Sequence, residues 1–248
     1  MTDAPYPHDD DVRMMAHLMS YPPHVLDGLN IDPRPGTTLH ISPVDTITSF
    51  VPRKCQRTMI NEDELVPRVC TATSLLNCLR GYAVTVRDFA KQRATNAGDD
   101  SFRGGYYIYA IDYQCSVLPG RSLCPMARWI QERWLLPYLE EDQGYSGHIV
   151  GKMFINRVTN PGVSTGALTV EVMVAIEGEG AFYWDDTLKL TKGYHLFTVP
   201  NLASYFDERF VPEQITYRQV SHTEYMKRKG LRAELLSYSP AAAWGRPR

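Results

Sequence analysis

The chain has 248 residues, the length of one domain or of one domain with a small appendage. Its hydrophobic fraction of 44% and charged fraction of 22% are those of a globular protein, which excludes the collagen-like, coiled-coil and wholly disordered classes. A net charge of -2 supplies no general attraction for nucleic-acid phosphates or anionic lipids. We therefore expect neither a nucleic-acid nor a membrane partner.

The cysteines and histidines lack the spacing of a metal site. The cysteines are odd in number and include no C-x-x-C pair, and no two histidines are four residues apart. The pattern predicts free thiols in a reducing compartment and no metal site. The five cysteines are Cys55, Cys70, Cys78, Cys115 and Cys124.

The N-terminal sequence MTDAPYPHDDD is acidic and has no apolar run, unlike a secretory signal. No stretch approaches the roughly 18 consecutive apolar residues that a membrane span needs. We therefore expect a cytoplasmic location, either in the cell that encodes the protein or in the host cell of a virus.

Prolines set the first part of the chain apart. Residues 1–36 hold six of the seventeen prolines, four of which interrupt regular structure after one candidate helix at Val12–Met19. This predicts an N-terminal Pro-rich arm at 1–36, a core domain at 37–238 and a C-terminal tail at 239–248. A protein partner is expected to dock on the arm or on the tail.

In the first half of the core, apolar and β-branched residues predict strands at Thr38–Ser42 and Arg68–Ala72. Thr73 or Ser74 is placed to cap a helix at Leu75–Tyr82. The hydroxyl-rich turn therefore joins a strand to a helix.

In the second half, the clearest strand is Gly105–Asp112, which is rich in aromatic and β-branched residues. Strands are also predicted at His148–Ile155 and at Leu168–Ile176, where every second residue is apolar. The segment Ala127–Leu136 fits either a short helix or an extended chain.

The last part of the core predicts a strand pair within Asp186–Val199 and an amphipathic helix at His222–Tyr238. Ser221 and Glu224 form a capping box for that helix. Because the elements do not alternate as βαβ units, the predicted class is α+β, with a single mixed or antiparallel sheet as the core and flanking helices.

The chain has none of the common catalytic motifs, such as G-x-S-x-G, G-x-x-x-x-G-K-[ST] or H-E-x-x-H. What it has is a histidine on the first core strand, a hydroxyl-rich turn before a helix, an aromatic strand, and Glu132 beyond it. In its order, this arrangement resembles the His-Tyr-Glu branch of the ADP-ribosyltransferase-like superfamily over residues 38–132.

The resemblance implies an NAD site built from three blocks. In Leu39-His40-Ile41-Ser42, the histidine holds a ribose of NAD and Ser42 follows it, although Ile41 stands where the family prefers glycine. The second block supplies Thr71, Thr73 and Ser74 at the helix start, with Tyr82 or Tyr109 stacking on the nicotinamide. The catalytic residues implied are His40 and Glu132.

Glu132 would hydrogen-bond the 2′-hydroxyl of the nicotinamide ribose, and Gln131 would contact the acceptor. Breaking the nicotinamide–ribose bond passes through an oxocarbenium-like state, which a carboxylate stabilises more than the ground state. The resemblance thus implies an enzyme that uses NAD as substrate and transfers ADP-ribose to an acceptor.

Structural roles account for the same residues without an active site. His40 then lies in a turn or in the core, the hydroxyl residues end a strand and cap a helix, and Glu132 pairs with Arg128 or Arg133. The corresponding second hypothesis is a non-catalytic interaction or assembly protein, such as an accessory or structural component of a virus (phage).

Overall fold

The computed structural model describes residues 18–54, 62–81, 105–137, 144–159, 169–180, 182–200, 202 and 215–237. The helices are α1 (Pro23–Leu26), α2 (Leu75–Gly81), α3 (Ala127–Ile130) and α4 (His222–Ser237). The strands are β1 (Leu29–Asp32), β2 (Gly36–Ser42), β3 (Ser49–Phe50), β4 (Val69–Ala72), β5 (Gly105–Tyr113), β6 (Ser116–Pro119), β7 (Glu132–Leu135), β8 (Tyr145–Thr159), β9 (Thr169–Ile176), β10 (Phe182–Tyr183), β11 (Lys189–Leu190), β12 (Gly193–Val199) and β13 (Thr216–Val220).

The predicted α+β class is wrong, because the described residues are mainly β. Strands far outnumber helices in these ranges, and two of the helices, α1 and α3, are single turns of four residues. The registers that the strands adopt are antiparallel. Most apolar runs in this sequence are too short for a helix, so they bury their side chains by pairing with distant strands.

The chain forms two compact units. The first takes its described residues from Met1–Gly81, Ile108–Ile149 and Ala181–Lys189, and the second from the remainder, 82–107, 150–180 and 190–248. The candidate site lies wholly within the first unit.

In the first unit the strand order is β1-β6-β7-β4-β2-β5. Strand β1 belongs to the segment predicted as an arm, and Leu29–Asp32 pair with β6. At the centre, β4 lies between β2 and β7, where Ala72 is opposite both Leu39 and Glu132. The register of these three strands decides which side chains share a face.

Helix α2 follows β4 directly, as the sequence predicts. The Ser74 hydroxyl accepts a hydrogen bond from the Asn77 backbone N–H at 3.3 Å, which satisfies one of the open donors of the first turn. The helix buries Leu75, Leu76 and Leu79. It contacts β2, β4 and α3, so one face of the central strands is covered by helix.

The second unit has the strand order β8-β9-β12-β13. The predicted strand at Leu168–Ile176 is confirmed as β9, and its alternate residues Val170, Val172 and Val174 are fully buried. Tyr225 of α4 belongs to a buried apolar cluster of this unit. The centre of its ring lies 5.5 Å from the centre of the Phe154 ring.

Helix α4 begins after Ser221, as predicted, but the Glu224 side chain does not close the predicted capping box. The Ser221 hydroxyl accepts from the Glu224 N–H at 3.1 Å. The Glu224 carboxylate instead accepts hydrogen bonds from Arg218 and Arg228. Arg218, and to a lesser degree Arg228, lower the pKa of Glu224 to about 2. None of the helices in the described residues is long and apolar enough to cross a membrane.

His195 is a fully buried histidine of the second unit. Its ring is fully buried on β12, with Nε2 2.8 Å from the Thr191 carbonyl oxygen and Nδ1 3.1 Å from the Tyr217 hydroxyl. Because a carbonyl only accepts, Nε2 carries the proton of the neutral ring and Nδ1 accepts from Tyr217. Burial lowers the pKa of His195.

We expect the free energy of unfolding to fall as the pH is lowered from 7 to 5. The unfolded chain takes up a proton at His195 near its ordinary pKa, before the folded chain does, with a slope of at most about 1.4 kcal/mol per pH unit for one proton. Urea unfolding of the wild type and of His195→Gln at both pH values measures this. The variant should lose less stability, and His148→Gln, at an exposed histidine, should match the wild type. Equal losses in all three proteins would contradict the assignment.

Candidate active site

A cleft of about 450 Å³ opens at the start of β7 in the first unit. Its volume lies within the range of small-molecule sites in proteins. Its lining includes two arginines, a threonine, a glutamine and a glutamate. The lining residues are Thr73, Leu118, Pro119, Gly120, Arg121, Ala127, Gln131, Glu132 and Arg133.

A reversal of the chain before β7 brings Glu132 back against Cys124. Helix α3 begins three residues after Cys124. It ends with a hydrogen bond that the Gln131 backbone N–H donates to the Ala127 carbonyl. Gln131 then adopts the left-handed conformation, with φ 46° and ψ 45°. It is the only non-glycine residue of the described ranges with positive φ. Such a conformation is unfavourable for glutamine and is often retained at functional sites.

The Gln131 side chain is held from three sides. Its Oε1 accepts from the Thr73 hydroxyl at 3.0 Å and from the Asn77 amide at 3.2 Å, and its Nε2 donates to Asp186 Oδ2 at 3.0 Å. These bonds offset the backbone strain and fix the wall of the cleft beside Glu132.

The Glu132 carboxyl is 7% exposed and has a defined partner for each oxygen. Oε1 accepts from the Trp134 indole N–H at 2.8 Å, and Oε2 accepts from the Cys124 thiol at 3.3 Å. The Cys70 thiol also hydrogen-bonds this carboxyl. Burial raises the pKa of Glu132, and the nearby charge of Glu62 adds to the rise. A raised pKa in a cleft is a common property of reactive carboxyls.

Glu62 and Arg68 form a buried ion pair next to Glu132. Arg68 Nη2 is 2.6 Å from Glu62 Oε1, and the Arg68 side chain has no solvent exposure. Its guanidinium lies 4.1 Å from the centre of the Trp134 ring, a cation–π distance. A second carboxylate, Asp63, lies 3.8 Å from Arg68 Nη1.

Arg133 supplies a positive charge at the cleft. Its Nη1 donates to Asp32 at 3.0 Å and to the Ser116 hydroxyl at 2.7 Å. Hydrogen bonds from Arg34 and then Arg133 lower the pKa of the Asp32 carboxyl. Among the described residues, nothing accepts a hydrogen bond from the buried Nε of Arg133. Arg121 adds a second, exposed guanidinium to the same lining.

The two residues implied as catalytic are not brought together. Leu39, Ala72 and Glu132 are opposite one another on β2, β4 and β7 and therefore share a face of the sheet. His40, next to Leu39, belongs to the other face. Its ring is half-buried, with Nδ1 2.9 Å from the Cys70 carbonyl oxygen, and lies 5.2 Å from the Phe50 ring. Burial lowers the pKa of His40.

Ser42 and Tyr109 lie with His40 rather than with Glu132. The Ser42 hydroxyl accepts from the Val44 N–H at 3.2 Å, and the Tyr109 hydroxyl donates to the Val44 carbonyl at 2.7 Å. The Tyr109 ring packs 5.1 Å from Phe50. Both residues thus anchor the chain after β2.

Of the hydroxyl residues implied for NAD, Thr73 alone lines the cleft. The Thr71 hydroxyl donates to the Arg133 carbonyl at 3.0 Å across β4 and β7. Ser74 caps α2, as described above. Tyr82 lies outside the described residues, so its predicted stacking role stays a prediction.

The sequence interpretation missed Arg121, Cys124 and Glu62 as neighbours of Glu132. One local signal was present, since Trp134 is two residues after Glu132 and shares its face on an extended strand. Glu62 carries no such signal, because it is 70 residues from Glu132 along the chain. No protein-family model matches this chain, and neither does any curated protein or solved structure.

Proposed function

We propose that the cleft at the start of β7 binds NAD and that Glu132 assists the cleavage of its nicotinamide–ribose bond. The observation that carries the proposal is that Glu132 lines one cleft together with Arg121, Arg133, Thr73 and Gln131. NAD combines an anionic diphosphate, ribose hydroxyls and a cationic nicotinamide ring. Each has a chemical counterpart in the lining.

The arginines suit the diphosphate, since a guanidinium donates paired hydrogen bonds to phosphate oxygens. The buried Nε of Arg133 gains an acceptor if the ligand reaches it. Thr73 and Gln131 offer a hydroxyl and an amide to the riboses. His40 has no part in the proposed site, which departs here from the His-Tyr-Glu pattern.

In the proposed reaction the bond between ribose C1′ and the nicotinamide nitrogen breaks, and its electron pair leaves with nicotinamide. Positive charge develops on the ribose, and the Glu132 carboxylate stabilises it. Water or an acceptor nucleophile then forms the new bond to C1′. The cationic ring of bound NAD also favours the ionised form of Glu132, which burial otherwise disfavours.

Thermal unfolding with and without NAD tests the binding step. At about 100 times its dissociation constant, a ligand adds about 2.7 kcal/mol to the free energy of unfolding. We expect Arg121→Gln to weaken NAD binding about ten- to hundredfold, because one charge-assisted hydrogen bond is lost. Lys54→Gln removes the same charge from an exposed position outside the cleft lining and should bind as the wild type does. No stabilisation at millimolar NAD would refute the proposal.

A further inference from the structure

A second feature of the first unit is a group of three potential metal ligands beneath the cleft. One carboxylate oxygen of Glu62, one of Glu132 and the Cys124 sulfur all lie within 4.8 Å of one another. Cys124 and Glu132 are buried, and Glu62 is nearly so, with 10% of its side chain exposed. The three residues come from separate segments, which only the fold brings together.

The donor atoms are of the kinds that Zn²⁺ takes, thiolate sulfur and carboxylate oxygen. Three donors at about 2.0–2.3 Å from one zinc ion lie about 3.5 Å apart, so the group needs to contract by about 1 Å. Three protein ligands with a fourth position open to a small molecule are the usual set of a reactive zinc site.

Groups outside the cluster orient its carboxylates. The Trp134 N–H holds Oε1 of Glu132, so that Oε2 is the oxygen directed at Cys124. Arg68 holds Oε1 of Glu62, and its guanidinium stacks on Trp134. Such outer donors fix the orientation of metal ligands and are a regular part of zinc sites. Glu132 also lines the cleft, so the cluster adjoins it.

The charge of the surroundings suits a divalent cation. Besides Glu62 and Glu132, the carboxylate of Asp63 lies against the same guanidinium, at 3.8 Å from Arg68. Arg68 contacts the carboxylates of Glu62 and Asp63. A buried carboxyl such as Glu132, whose own partners are an indole and two thiols, normally has a cation or a metal beside it.

We propose that Glu62, Cys124 and Glu132 form a Zn²⁺ site. On binding, the Cys124 thiol and any protonated carboxyl release their protons to solvent, and zinc–sulfur and zinc–oxygen bonds form without a change of oxidation state. The site does not depend on the NAD chemistry proposed above.

Titration of the full chain with Co²⁺, a spectroscopic substitute for Zn²⁺, tests the site. We expect one equivalent of Co²⁺ to give a thiolate-to-cobalt absorption band that Zn²⁺ displaces. Cys124→Ser should abolish the band, and Cys78→Ala, which removes another buried thiol, should leave it unchanged. Glu62→Gln should weaken Zn²⁺ binding at least about tenfold while retaining the band at high Co²⁺, since ligand and outer-shell changes cost about 10- to 100-fold. Circular dichroism confirms folding of each variant.

The absence of a thiolate band in the wild type, or a band that survives in Cys124→Ser, would overturn the zinc site. A further outcome rests on the proposed function. Zn²⁺ and the nicotinamide cation both need the Glu132 carboxylate, so Zn²⁺ should slow nicotinamide release at least about tenfold at saturation. Co²⁺ binding without any NAD cleavage would refute the NAD proposal and leave the zinc site standing.

Discussion

Replacing Glu132 with glutamine is expected to reduce the rate of nicotinamide release from NAD by about 100- to 1,000-fold. That is the usual loss when one preorganised electrostatic group is removed from a transition state. The amide oxygen of glutamine still accepts from the Trp134 N–H, and the cost of burying an ionisable carboxyl is gone. Chromatographic assay of nicotinamide, with wild type and variant at equal concentration, gives the two rates.

The stability of Glu132→Gln shows whether a slower reaction results from loss of the carboxylate or from unfolding. We expect the urea midpoint of Glu132→Gln to stay close to that of the wild type, because the Trp134 N–H keeps an acceptor and the amide nitrogen that replaces Oε2 can donate to the Cys124 sulfur. Glu177→Gln, at an exposed glutamate of the second unit, is the matched control and should keep the full rate. Unchanged nicotinamide release in a folded Glu132→Gln protein would remove Glu132 from the reaction.

The largest stability loss is expected for Arg68→Met, about 3–5 kcal/mol. Methionine fills part of the space, but the nearly buried carboxylates of Glu62 and Asp63 then lose their contacts with the guanidinium. Breaking a buried ion pair from one side is costly because the remaining charge is uncompensated. Denaturant unfolding of the full chain measures the difference.

Arg34→Met is the matched control. Arg34 also pairs with a buried carboxylate, Asp32, but its own side chain is 81% exposed. Exposed ion pairs contribute at most about 1 kcal/mol, so this variant should lose less than that. The double variant Arg68→Met, Glu62→Leu should recover part of the Arg68→Met loss, because the stranded charge is removed. A loss below about 1 kcal/mol for Arg68→Met would contradict the described ion pair.

The local sequence pattern was sufficient to predict several strands and one helix cap. The predicted strands Thr38–Ser42, Arg68–Ala72 and Gly105–Asp112 agree with β2, β4 and β5 to within two residues. The cap of α2 at Ser74 was also foreseen. In each case the signal is the alternation of apolar residues or a hydroxyl before a helix, which depends on residues close together in the chain.

For the segment Ala127–Leu136, the local sequence pattern does not predict where the helix ends and the strand begins. Both readings of it are right in part, since α3 takes the first four residues and β7 begins at Glu132. The change occurs at Gln131, whose left-handed backbone is held by Thr73, Asn77 and Asp186. Those partners are 54 or more residues away, so no local propensity encodes the turn.

The identities of the side chains are sufficient to predict which chemical groups are present: a carboxyl at Glu132, hydroxyls after β4, thiols and a near-neutral charge. Which of these groups contact one another depends on the fold. Antiparallel pairing of β2 and β7 with β4 places Glu132 and His40 on opposite faces, because successive side chains on a strand point to opposite sides. The proximity of Glu62 to Glu132 also depends on the fold, because the two residues are far apart in the chain, whereas the contact of Glu132 with Trp134 is local.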